Sequence, residues 1–199
     1  MRLSALAMVF GFIAVDCAAE PVTLQGVTFS DELGGIEITG GYGSGTRDDP
    51  FVIVEDIFDE GPAILVVHGL DRHFGNYTGS SHVAGFTLVK TATNRTTKDW
   101  YGFEMELRER TERTSNYGDG LSFGQAIGDA RVYAADRFAE VYQTDEPLDA
   151  VIFYDGLVRP GESVTMRVVI TDFSPSRLFY LLQRRNAPLA QGKKVPDRG

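Results

Sequence analysis

The clearest alternation of hydrophobic and polar positions lies in the stretch 148–172, LDAVIFYDGLVRPGESVTMRVVITD. Val164, Met166, Val168 and Ile170 alternate with Thr165, Arg167, Val169 and Thr171. A period of two puts the first set on one face of a strand and the mostly polar second set on the other. An apolar and aromatic run at 150–154 precedes it, and Asp155-Gly156 and Arg159-Pro160-Gly161-Glu162 supply turn residues between the two. Glycine there gives positive φ and proline a fixed φ. The pattern predicts two strands joined by a turn, half-buried on one side.

The same reading runs through the rest of the chain. Weak alternation at 21–29, a short run at 36–39 and a β-branched run at 51–57 predict three strands. The continuous apolar run at 63–67 predicts a buried central strand, and 86–91 another. At 99–110, Tyr101, Phe103, Met105 and Leu107 are expected to face one way and Gly102, Glu104, Glu106 and Arg108 the other. A last apolar strand is expected at 178–183. The spacing of about one strand every ten residues up to position 67 suits a sandwich rather than β-α-β units.

Residues 122–141 read two ways. Phe123, Ile127, Ala130, Ala134, Phe138 and Val141 recur at helical steps, and Ser122 with Gln125 forms a capping-box pattern. Gly124 and Gly128 oppose a helix, at about 1 kcal/mol each relative to alanine. The alternation at 138–143 suits a strand, so the expectation is a short helical or irregular segment followed by a strand. The fold predicted is an all-β antiparallel sandwich, immunoglobulin-like or jelly-roll, of about eight to ten strands with at most one short helix.

The first nineteen residues stand apart. Arg2, the apolar run 3–15 and the small residues Cys17-Ala18-Ala19 before Glu20-Pro21 follow the plan of a secretory signal peptide. The run is shorter than the roughly 20 residues a membrane-spanning helix needs, so no transmembrane span is expected in the mature chain. A buried N-terminal helix and a lipoprotein acylated at Cys17 are weaker alternatives, the latter because Asp16 stands where a small residue is needed. The organisation expected is a signal peptide at 1–19, one sandwich domain at 20–183 and a polar, disordered tail at 184–199. Cleavage would remove the only cysteine, leaving no disulfide, thiol nucleophile or thiolate metal site. A periplasmic or secreted location follows from this reading. The net charge of −9 argues against a nucleic-acid partner, which requires a basic stripe.

Candidate chemistry is sparse. Gly120-Leu121-Ser122-Phe123-Gly124 matches G-x-S-x-G, and Ile64-Leu65-Val66-Val67-His68-Gly69 resembles the strand and His-Gly turn that precede the oxyanion loop of the α/β-hydrolases. No apolar strand leads into Ser122, and every histidine precedes it, against that family's serine, acid, histidine order. His68, His73 and His82 lie within fifteen residues beside Asp71, a donor set that suits Zn²⁺ or Cu²⁺. Asn116, Asp119 and Asp48-Asp49 in glycine-rich loops offer oxygen ligands for Ca²⁺. Backbone-bonded loop histidines and solvated loop carboxylates are the plainer readings and weigh more, so no cofactor is expected unless Ca²⁺ or Zn²⁺ binds at these positions. Glu104 and Glu106 share a strand face about 6.5–7 Å apart by strand rise, within reach of an acid/base pair, with Arg108 placed to neutralise them. Two N-x-T sequons stand at Asn76 and Asn94. Trp100, Tyr101, Tyr42, Tyr77 and Tyr117 lie in or beside polar loops, and Trp100, Tyr101 and Tyr117 are the expected ligand-binding aromatics, suited to stacking on a sugar ring or anchoring a protein. The function expected is an exported, non-enzymatic binding or interaction module with a protein or glycan partner. A metal- or carboxylate-dependent hydrolase of an extracellular polymer and a structural envelope protein are the alternatives.

Overall fold

The computed structural model describes residues 20–115, 118–124, 133–144 and 149–186. They form thirteen strands and, among the described residues, no helix. The strands are β1 (Val22–Leu24), β2 (Val27–Ser30), β3 (Ile36–Tyr42), β4 (Phe51–Ile57), β5 (Ala63–His68), β6 (Ala84–Asn94) and β7 (Trp100–Arg108). After them come β8 (Leu121–Phe123), β9 (Ala134–Ala135), β10 (Phe138–Gln143), β11 (Ala150–Val158), β12 (Ser163–Asp172) and β13 (Leu178–Arg185). One sheet has the order β1-β2-β5-β13-β7-β11-β10, and the other β3-β4-β6-β12-β8 with β9 also on β12. The two pack face to face as a β-sandwich.

Every ladder is antiparallel except β4 with β6, which is parallel. A parallel pair needs a crossover connection, and here β5, seated in the opposite sheet, forms part of it. The expected hairpin at 150–171 has its two strands, but they do not pair. β11 lies between β7 and β10 in one sheet, and β12 between β6 and β8 in the other. The turn at 159–162 therefore crosses between layers. Ser122 lies in strand β8 and not at a helix N-terminus, and 138–143 is strand β10. Positions 125–132, where the helical steps were strongest, lie outside the described residues.

Alternating positions fill the core. Phe51, Ile53 and Ile57 of β4, Phe86 and Leu88 of β6, and Val164, Met166, Val168 and Ile170 of β12 point inward from one sheet. Val27, Phe29, Leu65, Val67, Phe103, Met105, Leu107, Phe153, Phe179 and Leu181 meet them from the other. Each such side chain contributes about 1.5–3 kcal/mol of transfer free energy. Phe86 touches Phe29, Phe51, Phe74 and Phe179 at centroid distances of 5.4–6.5 Å, so one ring joins both sheets.

Two inward positions on neighbouring strands carry opposite charges. Glu55 and Lys90 are 0% exposed, with Lys90 Nζ 2.6 Å from Glu55 Oε1. Burial lowers the pKa of Lys90, and the Glu55 charge opposes that fall. Gln183 Nε2 stands 3.5 Å from Glu55 Oε2. A buried pair of this kind is expensive to break and contributes little net stability while intact.

The last strand runs two residues beyond the expected boundary at 183. Arg184 donates to Glu104 and Glu106, and Arg185 donates to the carbonyls of Asp59 and Gly61. Asn186 Nδ2 donates to Asp99 O, and its Oδ1 accepts from Tyr101 N–H. These polar residues belong to the domain because each has a partner in it.

Candidate functional site

Strand registers decide which loops share an end of the sandwich. Asp172 pairs with Ala84, Leu178 with His68, and Tyr180 with Arg108. The connections at 69–83, 109–120 and 173–177 therefore meet at one end. The glycine-rich loop at 43–50 joins them, since Thr87 N–H donates to Gly45 O. The connections at 58–62, 95–99 and 159–162 lie at the other end, where Arg95 N–H donates to Ile57 O and Gly161 N–H to Asn94 O.

The first end holds all three histidines, but they have separate neighbours. His68 Nε2 is 3.9 Å from Glu32 Oε1. His73 is exposed. His82 sits edge-on to Phe173 at 6.0 Å, and its burial lowers its pKa and favours the neutral ring. Asp71 spends Oδ1 on the N–H groups of His73 and Phe74, and its Oδ2 lies 3.7 Å from Arg177 Nε. Among the described residues, no three His, Cys, Asp or Glu side chains stand together as a metal-binding group. Asn116 lies outside the described residues.

Of the expected aromatic trio, Trp100 and Tyr101 have different environments. Trp100 is buried, 5.8 Å from Phe103 and beneath the Arg185 guanidinium. Tyr101 is 61% exposed and donates to Asp99 at the far end. The alternation expected Tyr101 to share the Phe103 face. Instead the β7–β11 ladder shifts register between Tyr154 and Val158, beside these residues, and such a bulge re-aims side chains. Tyr117 lies outside the described residues.

Among the described residues, the exposed aromatics at the loop end are Tyr42, Tyr77 and Phe173. Tyr77 packs edge-on against Phe74 at 5.1 Å, and Phe74 in turn meets Phe51 and Phe86. The loop beneath Tyr77 is tied by Asn76, whose Nδ2 donates to Ser80 O, Ser80 Oγ and His82 O. Asn76 Oδ1 accepts from the N–H and Oγ–H of Thr78. One side chain thus fixes the loop carrying both Tyr77 and His82, and His82 braces Phe173. Sequence reading recorded Asn76 only as a sequon and did not single out Phe173.

The carboxylates fall into two groups. Glu104 and Glu106 do share a face, and Arg184 reaches both. Arg108 Nε donates to Glu106 Oε1 at 2.7 Å, and Thr114 donates to the same oxygen. Burial acts to raise the Glu106 pKa, but these hydrogen bonds and the two guanidinium charges outweigh it and hold the carboxyl below the ordinary range. The pair is neutralised, as an ion-paired strand face would be.

The second is centred on Asp172, at the loop end, where the charges of Glu109 and Asp119 act on it. Asp172 is 0% exposed. Its Oδ1 accepts Ser174 N–H at 2.8 Å, and its Oδ2 is buried without a hydrogen-bond partner. Burial, helped by the charges of Glu109 and Asp119, pushes this carboxyl up to about 6 against the N–H groups of Ser174 and Ser176. Ser122 is buried in β8 and gives no exposed nucleophile. No protein-family model, curated protein or solved structure matches the chain.

Proposed function

We propose that the protein is a non-enzymatic binding or interaction module, exported to the periplasm or beyond, whose loop end contacts a protein or glycan. The observation that supports this reading is the bracing of exposed rings. Tyr77 is anchored through Phe74 into the aromatic core, and Phe173, 61% exposed, rests on His82. Rings already held in place lose little conformational entropy on binding, and a flat aromatic face suits a sugar ring or a protein pocket. The hydrolase alternative has one observation in its favour, the raised Asp172 carboxyl, since such shifts gather at catalytic sites. Its full burial works against contact with a polymer.

The test is a glycan array and a panel of immobilised envelope components, probed with wild type, Tyr77→Ala, Phe173→Ala and the far-end controls Tyr101→Ala and Phe58→Ala. Binding that drops tenfold or more only in the loop-end variants is the expected result. Equal loss in the controls, no retained component, or turnover of a polysaccharide would overturn the reading. Mass spectrometry of the exported form, expected to begin at Glu20, tests the location.

A further inference from the structure

We propose that Lys90 and Gln183 join in an internal amide cross-link between the two sheets, with the Glu55 carboxyl moving the protons. Glu55 on β4, Lys90 on β6 and Gln183 on β13 all point inward, and each is 0% exposed. Glu55 touches both reacting groups. Its Oε1 stands 2.6 Å from Lys90 Nζ, and its Oε2 stands 3.5 Å from Gln183 Nε2. One carboxyl thus has an oxygen on the attacking nitrogen and its other oxygen on the departing one, as a general acid–base requires. Lys90 and Gln183 belong to opposite sheets. Packed sheets lie about 10 Å apart, a gap that a lysine and a glutamine side chain span together.

The surroundings favour this chemistry over a settled ion pair. Among the described residues, Glu55 Oε1, Lys90 Nζ and Gln183 Oε1 are buried without a hydrogen-bond partner, so the 2.6 Å contact pairs charges without an aligned hydrogen bond. Burial lowers the Lys90 pKa and the Arg185 charge adds to the fall, against the pull of Glu55. A desolvated lysine amine is an activated nucleophile. The step balances without a co-reactant. Lys90 gives a proton to Glu55, and the neutral Nζ attacks Gln183 Cδ. Glu55 then protonates Nε2 and takes the surplus proton from Nζ. The Nζ–Cδ bond forms, the Cδ–Nε2 bond breaks, and ammonia leaves. An ion pair that is costly to bury becomes a neutral amide beside a neutral carboxyl. With a single cysteine the chain can form no internal disulfide, and this bond ties its last strand to β6 instead.

Mass spectrometry of the purified full chain under denaturing conditions tests this. The expected result is a mass one ammonia below the value calculated from its sequence. A tryptic digest is expected to hold a branched peptide that joins the segment around Lys90 to the segment around Gln183. Lys90→Met and Glu55→Gln are expected to keep their calculated masses and to yield the two segments unlinked. A wild-type chain at its calculated mass, or an ammonia loss that persists in Lys90→Met, overturns the proposal. A branched peptide one water lighter, joining Lys90 to Glu55, refutes Gln183 as the acyl group. A cross-link retained in Glu55→Gln refutes the proton-moving role. The wild-type measurement involves no substitution, so it decides the cross-link even where both variants fail to fold.

Discussion

Asn94 does the same work as Asn76, at the opposite end of β6. Its Oδ1 accepts from Thr96 N–H and Oγ–H, and its Nδ2 donates to Lys98 O and Val158 O. Both N-x-T sequons are thus loop staples, in which the asparagine amide closes a turn and the threonine two residues on completes it. A glycan on Nδ2 of buried Asn94 would displace both of those donor contacts. Asn94→Ala removes four hydrogen bonds and strands buried carbonyls, at a cost of about 2–3 kcal/mol in a urea unfolding curve. A loss under 0.5 kcal/mol would contradict that role. The charged core positions were open to a simpler reading. Glu55 follows Phe51 and Ile53, Lys90 follows Phe86 and Leu88, and Asp172 follows Val168 and Ile170, each two residues on. Strand parity therefore assigns all three to the interior. The choice of partner is a tertiary matter, since Glu55 meets Lys90 across neighbouring strands and Gln183 from the other sheet.

Among the elements, the alternation in β7 and β12 specified strand and buried face over most of their length because each has one face on a single core, and the runs at β4 and β6 specified strands. It failed at the start of β7, where Trp100 and Tyr101 exchange their expected environments beside a register shift that no local period encodes. Sheet membership was equally hidden. A Pro-Gly turn of the same composition can close a hairpin or carry the chain across the sandwich, and 159–162 does the latter. The irregularity in β11 has its own requirement. Gly156 lies opposite Phe138, and a Cβ there would stand 1.8 Å from Arg137 O and 2.8 Å from Phe138 Cδ1. Gly156→Ala is expected to cost more than about 1 kcal/mol and to unpair β10 first. Exchange protection lost at Phe138–Gln143 ahead of β7 checks this, and uniform loss across the sheet would refute it.

At the scale of the whole molecule, two carboxyls set opposing limbs of a pH–stability curve. The Asp172 pKa is raised in the fold, from 3.8 to about 6. Its contribution is therefore fully present below the unfolded value and lost as pH rises through the folded one, by about 2–3 kcal/mol. Glu106 is depressed below 4.5, so its contribution is present above that value and lost as pH falls through its lower folded one. Thermal midpoints are expected to peak near about pH 4–5. Asp172→Asn should flatten the alkaline limb and Glu106→Gln the acid one, and a midpoint that climbs steadily from pH 4 to 8 would contradict both assignments. The β4–β6 pair has a consequence for the order of assembly. The chain between these parallel strands passes through β5 in the opposing layer, and the ion pair they share is met by Gln183, 128 residues from Glu55 in sequence. Such distant closures are slow, on the order of milliseconds to seconds. Because β13 is the last strand in sequence yet sits inside its sheet, a nascent chain stopped before it lacks the strand that joins β5 to β7.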